Sequence, residues 1–306
     1  MDNIQKIYEQ ALTHTDKGAV ATYIPALAEV DGKQLSISIL SNEQEISFGN
    51  QEVSFTLQSV VKIMSFIVAA NHHGLEQLLT YVDVEPTGDS FNSIVRLESD
   101  TKKPFNPMIN AGAITVASLL PGERLYDKVQ SVLTFIESII ERDVMVDQQI
   151  YLSEYESADY NRAIAYILQA NGFLHSEVEE ALQVYLQLCS IRVTTKDLAK
   201  LGLFFATSGQ LCKTAYQKEI LNVAKALMMT CGMYNASGNF AAFVGLPAKS
   251  GVSGAIVAFS KHATIEHVSG PIGYGIYGPS IDEVGNSVAG RYFLEELSKA
   301  YDLFSL

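Results

Sequence analysis

Segments that predict β-strands lie at both ends of this 306-residue chain, and helical segments lie between them. Residues 34–41 (QLSISILS) alternate polar and apolar side chains, which is typical of a half-buried strand. Toward the other end, residues 240–251, 254–260 and 272–280 predict successive strands joined by turns rich in glycine and serine. Strands from the two ends pair most naturally in one sheet. The chain is therefore expected to insert its helical middle between two parts of a single sheet.

The helical signals extend over about 160 residues in the middle of the chain, judged by ordinary element lengths. One helix is predicted to begin at Ser59, and another at Asn106 as N-cap with Pro107 in the first turn. A third is predicted from a Ser157 cap to Gly172, and the last residues predict an amphipathic terminal helix.

The predicted fold class is α/β in the α+β sense: an antiparallel sheet flanked by terminal helices, with an all-helical lobe inserted. Residues 1–306 are expected to form a single catalytic unit of two lobes. About residues 1–58 plus 232–306 would form the sheet lobe, and about residues 59–231 the mainly helical lobe. A cleft between such lobes is a common place for a small-molecule site.

Charge and hydropathy exclude several classes of partner. The chain has 21 Lys and Arg against 34 Asp and Glu, a formal net charge of −13, so no nucleic-acid partner is expected. No stretch reaches roughly 18 uninterrupted apolar residues, so no membrane partner is expected either. The first residues also lack the basic and apolar regions of a signal peptide.

Cysteine and histidine usage argues against a metal site or a disulfide framework. Cys189, Cys212 and Cys231 are widely spaced and form no CxxC pair, which is typical of reduced core thiols in a cytoplasmic protein. The six histidines include no HExxH motif and no cluster with zinc spacing. We expect no metal, no cofactor and a cytoplasmic location.

Ser59 and Lys62 stand three residues apart in FTLQSVVKIMSF, so they share one face of a helix. A serine hydroxyl is a weak nucleophile and needs a base beside it. Lysine can be that base if burial or a nearby cation lowers its pKa enough to make it neutral. The spacing is common by chance, and alone it would indicate only a surface pair.

A second element strengthens this hypothesis, because Lys249, Ser250 and Gly251 form a K-S-G sequence on a predicted late strand. Penicillin-recognising serine enzymes combine S-x-x-K on a helix with K-T-G on a strand. Serine in place of threonine keeps the hydroxyl. Lys249 could supply the cation that keeps Lys62 neutral.

Other polar residues stand where a core would be apolar. Asn110 precedes small residues that allow close approach of a ligand or a helix. Glu154 and Asn161 are seven residues apart, so a helix through both would point them the same way and suit a zwitterionic ligand. Tyr234 lies in a glycine-rich stretch, where a phenol could relay a proton or donate to an oxyanion. Taken singly, each could equally cap a helix, face solvent or line a strand edge.

These segments together resemble the serine-dependent glutaminases, which hydrolyse L-glutamine to L-glutamate and ammonia. The likeness covers nearly the whole chain, beginning with GAVATYIPALAEVD at residues 18–31 and ending with MYNASGNFAAFVGLPAKSGVSGAI. Between them come FTLQSVVK, PFNPMINAGAI, SEYESADYNRAIAYIL and YLQLCSIRVTTKDLAKLG. The resemblance implies a β-lactamase/transpeptidase-like fold, in agreement with strands at both ends and helices between.

The resemblance also implies a role for each candidate site residue. Ser59 would be the nucleophile and Lys62 its base, with Tyr23 and Tyr234 as site tyrosines and Tyr234 as the proton relay. The backbone N–H groups of Ser59 and Val252 would form the oxyanion hole. The amino and carboxylate ends of the substrate would be held by Asn110, Glu154, Asn161 and Tyr185. L-glutamine is the implied substrate, and a homodimer or homotetramer the implied assembly.

The chain departs from the family pattern at three positions. Val61 stands where relatives commonly carry a small hydroxyl residue before the lysine, and Asn235 and Asn239 replace acidic residues. None of the three is a predicted catalytic position. The departures bear on rate, pH optimum and substrate preference rather than on the reaction class.

Two other interpretations stay open at this point. A β-lactamase or peptidase of the same fold would use the same S-x-x-K element, although penicillin targets lie outside the cytoplasm. A non-catalytic amino-acid-binding protein on this scaffold would not need Ser59, Lys62 and Tyr234 together. Ammonia release from glutamine, measured beside hydrolysis of a chromogenic cephalosporin, separates the three.

Overall fold

The computed structural model describes residues 3–90, 92–94, 97, 102–210 and 217–304. The helices are α1 Asn3–Leu12, α2 Val61–His73, α3 Leu75–Leu78, α4 Asn110–Ser118, α5 Leu125–Ile140, α6 Gln148–Glu156, α7 Asp159–Ala170, α8 Val178–Cys189, α9 Thr195–Ala206, α10 Lys218–Cys231, α11 Ser237–Phe243 and α12 Val288–Tyr301. The strands are β1 Ser36–Leu40, β2 Glu45–Phe48, β3 Phe55–Thr56, β4 Arg192–Val193, β5 Ala248–Ser250, β6 Ala255–Ile265 and β7 Val268–Tyr277.

The two ends of the chain pair in one five-stranded antiparallel sheet of order β2-β1-β7-β6-β5, as predicted. The joint between the two ends is the β1–β7 pair, where Ile37 lies opposite Ile276. Strand β1 is buried on both faces rather than half-buried as predicted, so a one-residue slip would place its buried serines, Ser36 and Ser38, among the apolar side chains. The apolar alternation therefore sets the register at the seam.

The strand predicted over residues 240–251 is wrong in its first half. Residues Ser237–Phe243 form helix α11, and only Ala248–Ser250 are extended. Phe240 and Val244, four residues apart, are both buried in the core on the sheet, while Ala242 between them is exposed, so this stretch follows helical periodicity rather than strand alternation.

Helix α9 packs directly on β7 and β6, and two glycines make this close approach possible. A Cβ on Gly273 would lie 2.0 Å from the Ala199 carbonyl oxygen, and one on Gly275 would lie 2.0 Å from that of Thr195. The terminal helices α1 and α12 pack on each other, and α12 also contacts β6. Helix α9 belongs to the stretch that was predicted as the helical lobe, yet it covers the sheet; the division into two lobes stays a prediction.

Helix α2 runs through the interior instead of presenting a half-buried face, and it contacts α4, α5 and α10. From Val61 to Ala70 only Val68 is less than fully buried. Lys62 is 1% exposed in this setting. Its amine is therefore removed from water, which is the condition for a low pKa. Within the residues that the structure describes, no helix is both long enough and apolar enough to cross a membrane.

Candidate active site

Ser59 lies in a single 3₁₀ turn, Gln58–Val60, that leads directly into α2. The preceding residue, Gln58, has φ +48° and therefore adopts the left-handed conformation that non-glycine residues rarely take. Ser59 is 7% exposed. Strained residues of this kind persist where the surroundings fix them, often at functional sites.

The Lys62 amine donates to two acceptors from the α4 side of the site, the Met108 carbonyl oxygen at 3.0 Å and Asn110 Oδ1 at 2.8 Å. Burial lowers the pKa of Lys62 to about 8. A neutral lysine amine has two N–H donors and one lone pair. The two acceptors use both donors, so the lone pair is what remains for a proton.

Lys249 was predicted to keep Lys62 neutral. In the structure it is instead the charge of Lys62 that contributes to the lowered pKa of Lys249, and Lys249 is not among the causes of the lowered pKa of Lys62. Lys249 is completely buried, and its amine donates to the Ser250 carbonyl oxygen at 2.5 Å. Burial, and then the charge of Lys62, hold the pKa of Lys249 well below its ordinary value. Burial is the leading cause for Lys62 as well. Burial is therefore the main reason why the pKa values of both amines lie below the ordinary value of a lysine.

Asn110 is the hub of the polar groups around Lys62. Its Oδ1 accepts from Lys62 and from the Tyr185 hydroxyl at 3.2 Å, and its Nδ2 donates to Asn161 Oδ1 at 2.9 Å. The structure thus brings together three of the four residues predicted to hold the substrate ends. This network also orients the amide, because its oxygen must face two donors.

The helix predicted to start at Asn106 begins four residues later, at Asn110. Asn106 Oδ1 instead accepts the N–H groups of Met108 and Ile109 and so caps a turn before the helix. The consequence is functional, because this turn leaves the Met108 carbonyl free of the helix ladder and directed at Lys62.

A single helix through Glu154 and Asn161 is not found. Helix α6 ends at Glu156 and α7 begins at Asp159, so the two residues lie on different helices. Glu154 is nonetheless buried in the site and accepts from Gln58 Nε2 at 3.4 Å. Burial raises the pKa of Glu154 to about 7, against the opposing effects of the Gln58 hydrogen bond and the Lys62 charge. Both side chains reach the site from consecutive helices.

The two predicted site tyrosines lie at different depths. Tyr234 is 9% exposed; burial raises its pKa, and a hydrogen bond with the Ser59 side chain partly opposes the shift. The Lys249 amine lies 4.6 Å from the centre of the Tyr234 ring. Tyr23 is 54% exposed overall, yet its pKa is raised by burial and then by Tyr234 and Glu154. Tyr234 is therefore the inner tyrosine and Tyr23 the outer one.

The turn after β5 brings the Val252 backbone against the segment that carries Ser59. A Cβ on Gly251 would lie 2.5 Å from the Leu57 carbonyl oxygen, and Ser253 Oγ donates to the Thr56 carbonyl oxygen at 2.7 Å. Within the described part of the chain, the Val252 N–H donates to no protein acceptor. A backbone N–H without a protein acceptor, close to a serine hydroxyl, is one requirement of an oxyanion hole.

Replacing Gly251 with alanine is expected to lower kcat about a hundredfold, the scale of losing one oxyanion donor. The added Cβ would meet backbone at 2.5 Å, so the turn must move away from Ser59. Gly238→Ala is the matched control, since a Cβ there meets nothing within 4 Å and helix α11 accepts alanine. Steady-state kinetics of both variants test this, and an unchanged kcat in Gly251→Ala would contradict it.

Two cavities reach the residues of this site. One has a volume of about 510 Å³ and is lined by Met108 and Tyr234, among others. The other, of about 550 Å³, is lined by Tyr23 and Val252. The cavities therefore give a small molecule access to the two site tyrosines and to the turn that carries Val252.

Sequence reasoning missed Gln58, which appears in FTLQSVVK only as a lone amide in an apolar stretch. It also missed Cys189, which is buried and hydrogen bonds with Tyr185; Cys212 lies outside the described residues. Among those residues, no cluster of three or more His, Cys, Asp or Glu could hold a metal ion.

The three departures from the family pattern lie around the site rather than in it. Val61 is buried in α2. Asn235 Nδ2 donates to the Gly88 carbonyl oxygen at 3.0 Å, and Asn239 accepts from Arg291.

Comparison with known proteins places this arrangement in context. The sequence profile of the family described as Glutaminase matches residues 18–305. Glutaminase 2 of Bacillus anthracis is 50% identical over 298 residues, covering 95% of this chain and 91% of that protein. A probable glutaminase of Bacillus subtilis complexed with 6-diazo-5-oxo-L-norleucine is 41% identical, with a TM-score of 0.91 over 100% of this chain and 97% of that one.

A second solved structure is similar to the same extent. It is a covalent complex between a Bacillus subtilis glutaminase and 5-oxo-L-norleucine, formed by reaction with the diazo compound. It is 41% identical, with a TM-score of 0.89 over 99% of this chain and 98% of that one. These likenesses confirm the predicted β-lactamase-like fold.

Proposed function

The chain belongs to the glutaminase family and hydrolyses L-glutamine to L-glutamate and ammonia, and from this premise we propose a covalent mechanism carried by Ser59 and Lys62. The observation that carries the proposal is the buried Lys62 amine, whose two N–H donors are occupied and whose pKa burial lowers to about 8. One helical turn before it, Ser59 offers the hydroxyl that such an amine can deprotonate.

Glutamine binds first through its charged ends. Glu154, which is buried and whose pKa is raised to about 7, binds the α-ammonium group of the substrate through its carboxylate. Asn161, whose Oδ1 accepts from Asn110, donates to the α-carboxylate through its Nδ2, and Tyr185 joins it by turning its hydroxyl from Asn110 Oδ1 to the carboxylate. The side-chain amide then lies over Ser59, and Tyr23 covers the substrate from the exposed side.

In the acylation step, Ser59 Oγ attacks the amide carbon of the substrate while Lys62 accepts the hydroxyl proton. The carbonyl oxygen becomes an oxyanion and receives hydrogen bonds from the backbone N–H groups of Ser59 and Val252. Tyr234, which hydrogen bonds with Ser59, passes a proton to the leaving nitrogen and regains one from protonated Lys62, and the C–N bond breaks to release ammonia.

In the second step, water attacks the γ-glutamyl ester on Ser59. Lys62 or Tyr234 takes a proton from the water, and the same two N–H groups hold the second oxyanion. The ester C–O bond breaks, Ser59 regains its proton, and glutamate leaves. Each oxyanion donor of this kind lowers the barrier by about 3 kcal/mol.

The proposal is tested by covalent labelling with 6-diazo-5-oxo-L-norleucine, the compound that reacts with a similar Bacillus subtilis glutaminase. We expect the labelled protein to lose activity and to carry one 5-oxonorleucyl group on the peptide that contains Ser59, as read by tandem mass spectrometry. Glutamate should slow the labelling by competition. Labelling on any other residue, Cys189 and Cys231 included, would overturn the nucleophile assignment.

The same enzyme preparation should also be offered a chromogenic cephalosporin beside glutamine. Ammonia release without cephalosporin hydrolysis is the expected result. It separates the glutaminase from a β-lactamase of this fold and from a binding protein that turns over neither compound.

We further propose that the enzyme acts in the cytoplasm as a homodimer or homotetramer. Free thiols support the first part, since Cys189 and Cys231 form no disulfide among the described residues. The resemblance to the glutaminases supports the second. Light scattering on the purified protein reads the assembly directly.

A further inference from the structure

Tyr234 adopts a backbone conformation that its own residue type disfavours. Its φ is +51°, in the left-handed region, and its chain neighbours hold it there. Ser237 Oγ donates to the Tyr234 carbonyl oxygen at 2.7 Å and accepts from the Met233 N–H at 3.0 Å. Strain of this kind persists only where several contacts determine the conformation together.

A further contact comes from a distant part of the chain. Asn286 Nδ2 donates to the Met233 carbonyl oxygen at 3.2 Å, across 53 residues of sequence. That carbonyl belongs to the peptide group that joins Met233 to Tyr234. The hydrogen bond therefore fixes the orientation of this peptide group, and with it the direction of the Tyr234 side chain. Asn286 is completely buried.

The loop that carries Asn286 is itself closed by one carboxylate. Asp282 Oδ1 accepts the N–H groups of Val284 at 3.0 Å and of Gly285 and Asn286 at 2.9 Å each. Gly285 has φ +107°, and a Cβ there would lie 3.3 Å from Tyr234 Cε2, so loop backbone lies against the tyrosine ring. The loop therefore holds Tyr234 both at its ring and through its peptide group.

Hydrogen bonding alone does not explain why an amide side chain stands at position 286. Among the described residues, its Oδ1 is buried and finds no partner. A buried acceptor without a partner destabilises the fold. Within the part of the chain that the structure describes, the side chain makes one hydrogen bond, to the peptide group before Tyr234.

We propose that Asn286 is a positioning residue for the hydrolysis: through the Met233 carbonyl it holds Tyr234 with its hydroxyl toward Ser59. The inference rests on the proposed role of Tyr234 as the proton relay. Because Glu154, Asn161 and Tyr185 lie on other elements, the loss of Asn286 affects proton transfer more than it affects glutamine binding.

The test is a double-mutant cycle of Asn286→Ala and Tyr234→Phe in the full-length enzyme, read by kcat and KM. We expect Asn286→Ala to lower kcat about tenfold, as a misplaced catalytic group does, with KM changed by less than about threefold. In the Tyr234→Phe background the same substitution should cost less than about twofold, because the group it positions is gone.

A tenfold loss that persists in the Tyr234→Phe background would show that Asn286 does not act through Tyr234, and so would a wild-type kcat in Asn286→Ala. If Tyr234→Phe itself keeps wild-type kcat, the relay role fails and this inference fails with it. An impaired Tyr234→Phe beside an unimpaired Asn286→Ala overturns this inference alone.

Two further variants keep the test decisive if Asn286→Ala does not fold. Asn286→Asp keeps the side-chain volume but cannot donate when ionised, so it should lower kcat in the same way and be equally silent in the Tyr234→Phe background. Ser280→Ala is the matched control, since Ser280 Oγ is also buried without a partner among the described residues. Its kcat should match that of the wild type.

Discussion

Ser59→Ala is expected to reduce kcat by about 10⁴-fold or more, the scale seen when a serine hydrolase loses its nucleophile. The substrate-holding groups, Asn161, Tyr185 and Glu154, do not depend on the serine hydroxyl for their contacts. Glutamine should therefore still bind, with a dissociation constant within about threefold of the wild-type value. The variant should separate binding from chemistry.

Ser65→Ala is the control for this experiment. Ser65 lies farther along the same buried helix, and its hydroxyl donates to the Val61 carbonyl oxygen at 3.2 Å and to no other acceptor among the described residues. Its loss should leave kcat unchanged. Coupled glutamate release measures turnover, and isothermal titration measures binding. Residual turnover above about one percent of wild type in Ser59→Ala would contradict the nucleophile assignment.

Lys62→Met is expected to lower kcat by about 10³-fold, within the range for a lost general base. Methionine fills a similar volume but offers no lone pair for the Ser59 proton. The Met108 carbonyl oxygen loses the donor that Lys62 supplies, which should also lower stability by about 1–3 kcal/mol, whereas Asn110 Oδ1 keeps the Tyr185 hydroxyl as donor. Thermal denaturation separates the two effects.

Lys128→Met is the matched control, because Lys128 is also a buried lysine, 6% exposed, paired with Glu180 and with the Ser118 carbonyl oxygen. It should lower the melting temperature and leave kcat within about twofold of wild type. If both lysine variants lost activity in proportion to their stability, Lys62 would have only a structural role.

The pH dependence of the wild-type enzyme follows from the same amine. Only neutral Lys62 can accept the Ser59 proton, and burial lowers its pKa from 10.5 to about 8. The rate should therefore rise as the pH increases through about 8 and level off above it. A rate that is flat from about pH 7 to 9 would contradict the base assignment.

The sheet was predictable because its signals are local. The alternation in residues 34–41 marks β1, and glycine turns mark β6 and β7. Helix α11 was missed because FAAFV has no polar period that separates a helix from a strand. The full burial of α2 could not be predicted from its own residues, because it depends on which helices surround it.

The site, too, contains contacts that the local sequence predicts and contacts that it does not. Ser59 and Lys62 share a local spacing, so their proximity could be predicted from sequence. The contacts of Lys62 with the Met108 carbonyl and of Asn286 with the Met233 carbonyl involve backbone atoms of distant segments. No side-chain pattern encodes such acceptors, because every residue carries the same carbonyl group. The lowered pKa values of Lys62 and Lys249 likewise depend mainly on burial, which is known only once the chain is folded.

The turn bearing Val252 is fastened to the Ser59 segment by a bond that links residues 197 positions apart, from Ser253 to Thr56. While the ribosome is still adding the final strands, a nascent chain already holds the proposed nucleophile but lacks one of the two N–H groups proposed to stabilise the oxyanion. Full activity is therefore expected only after synthesis has passed Ser253, and products truncated before it should have low activity even where their helices fold.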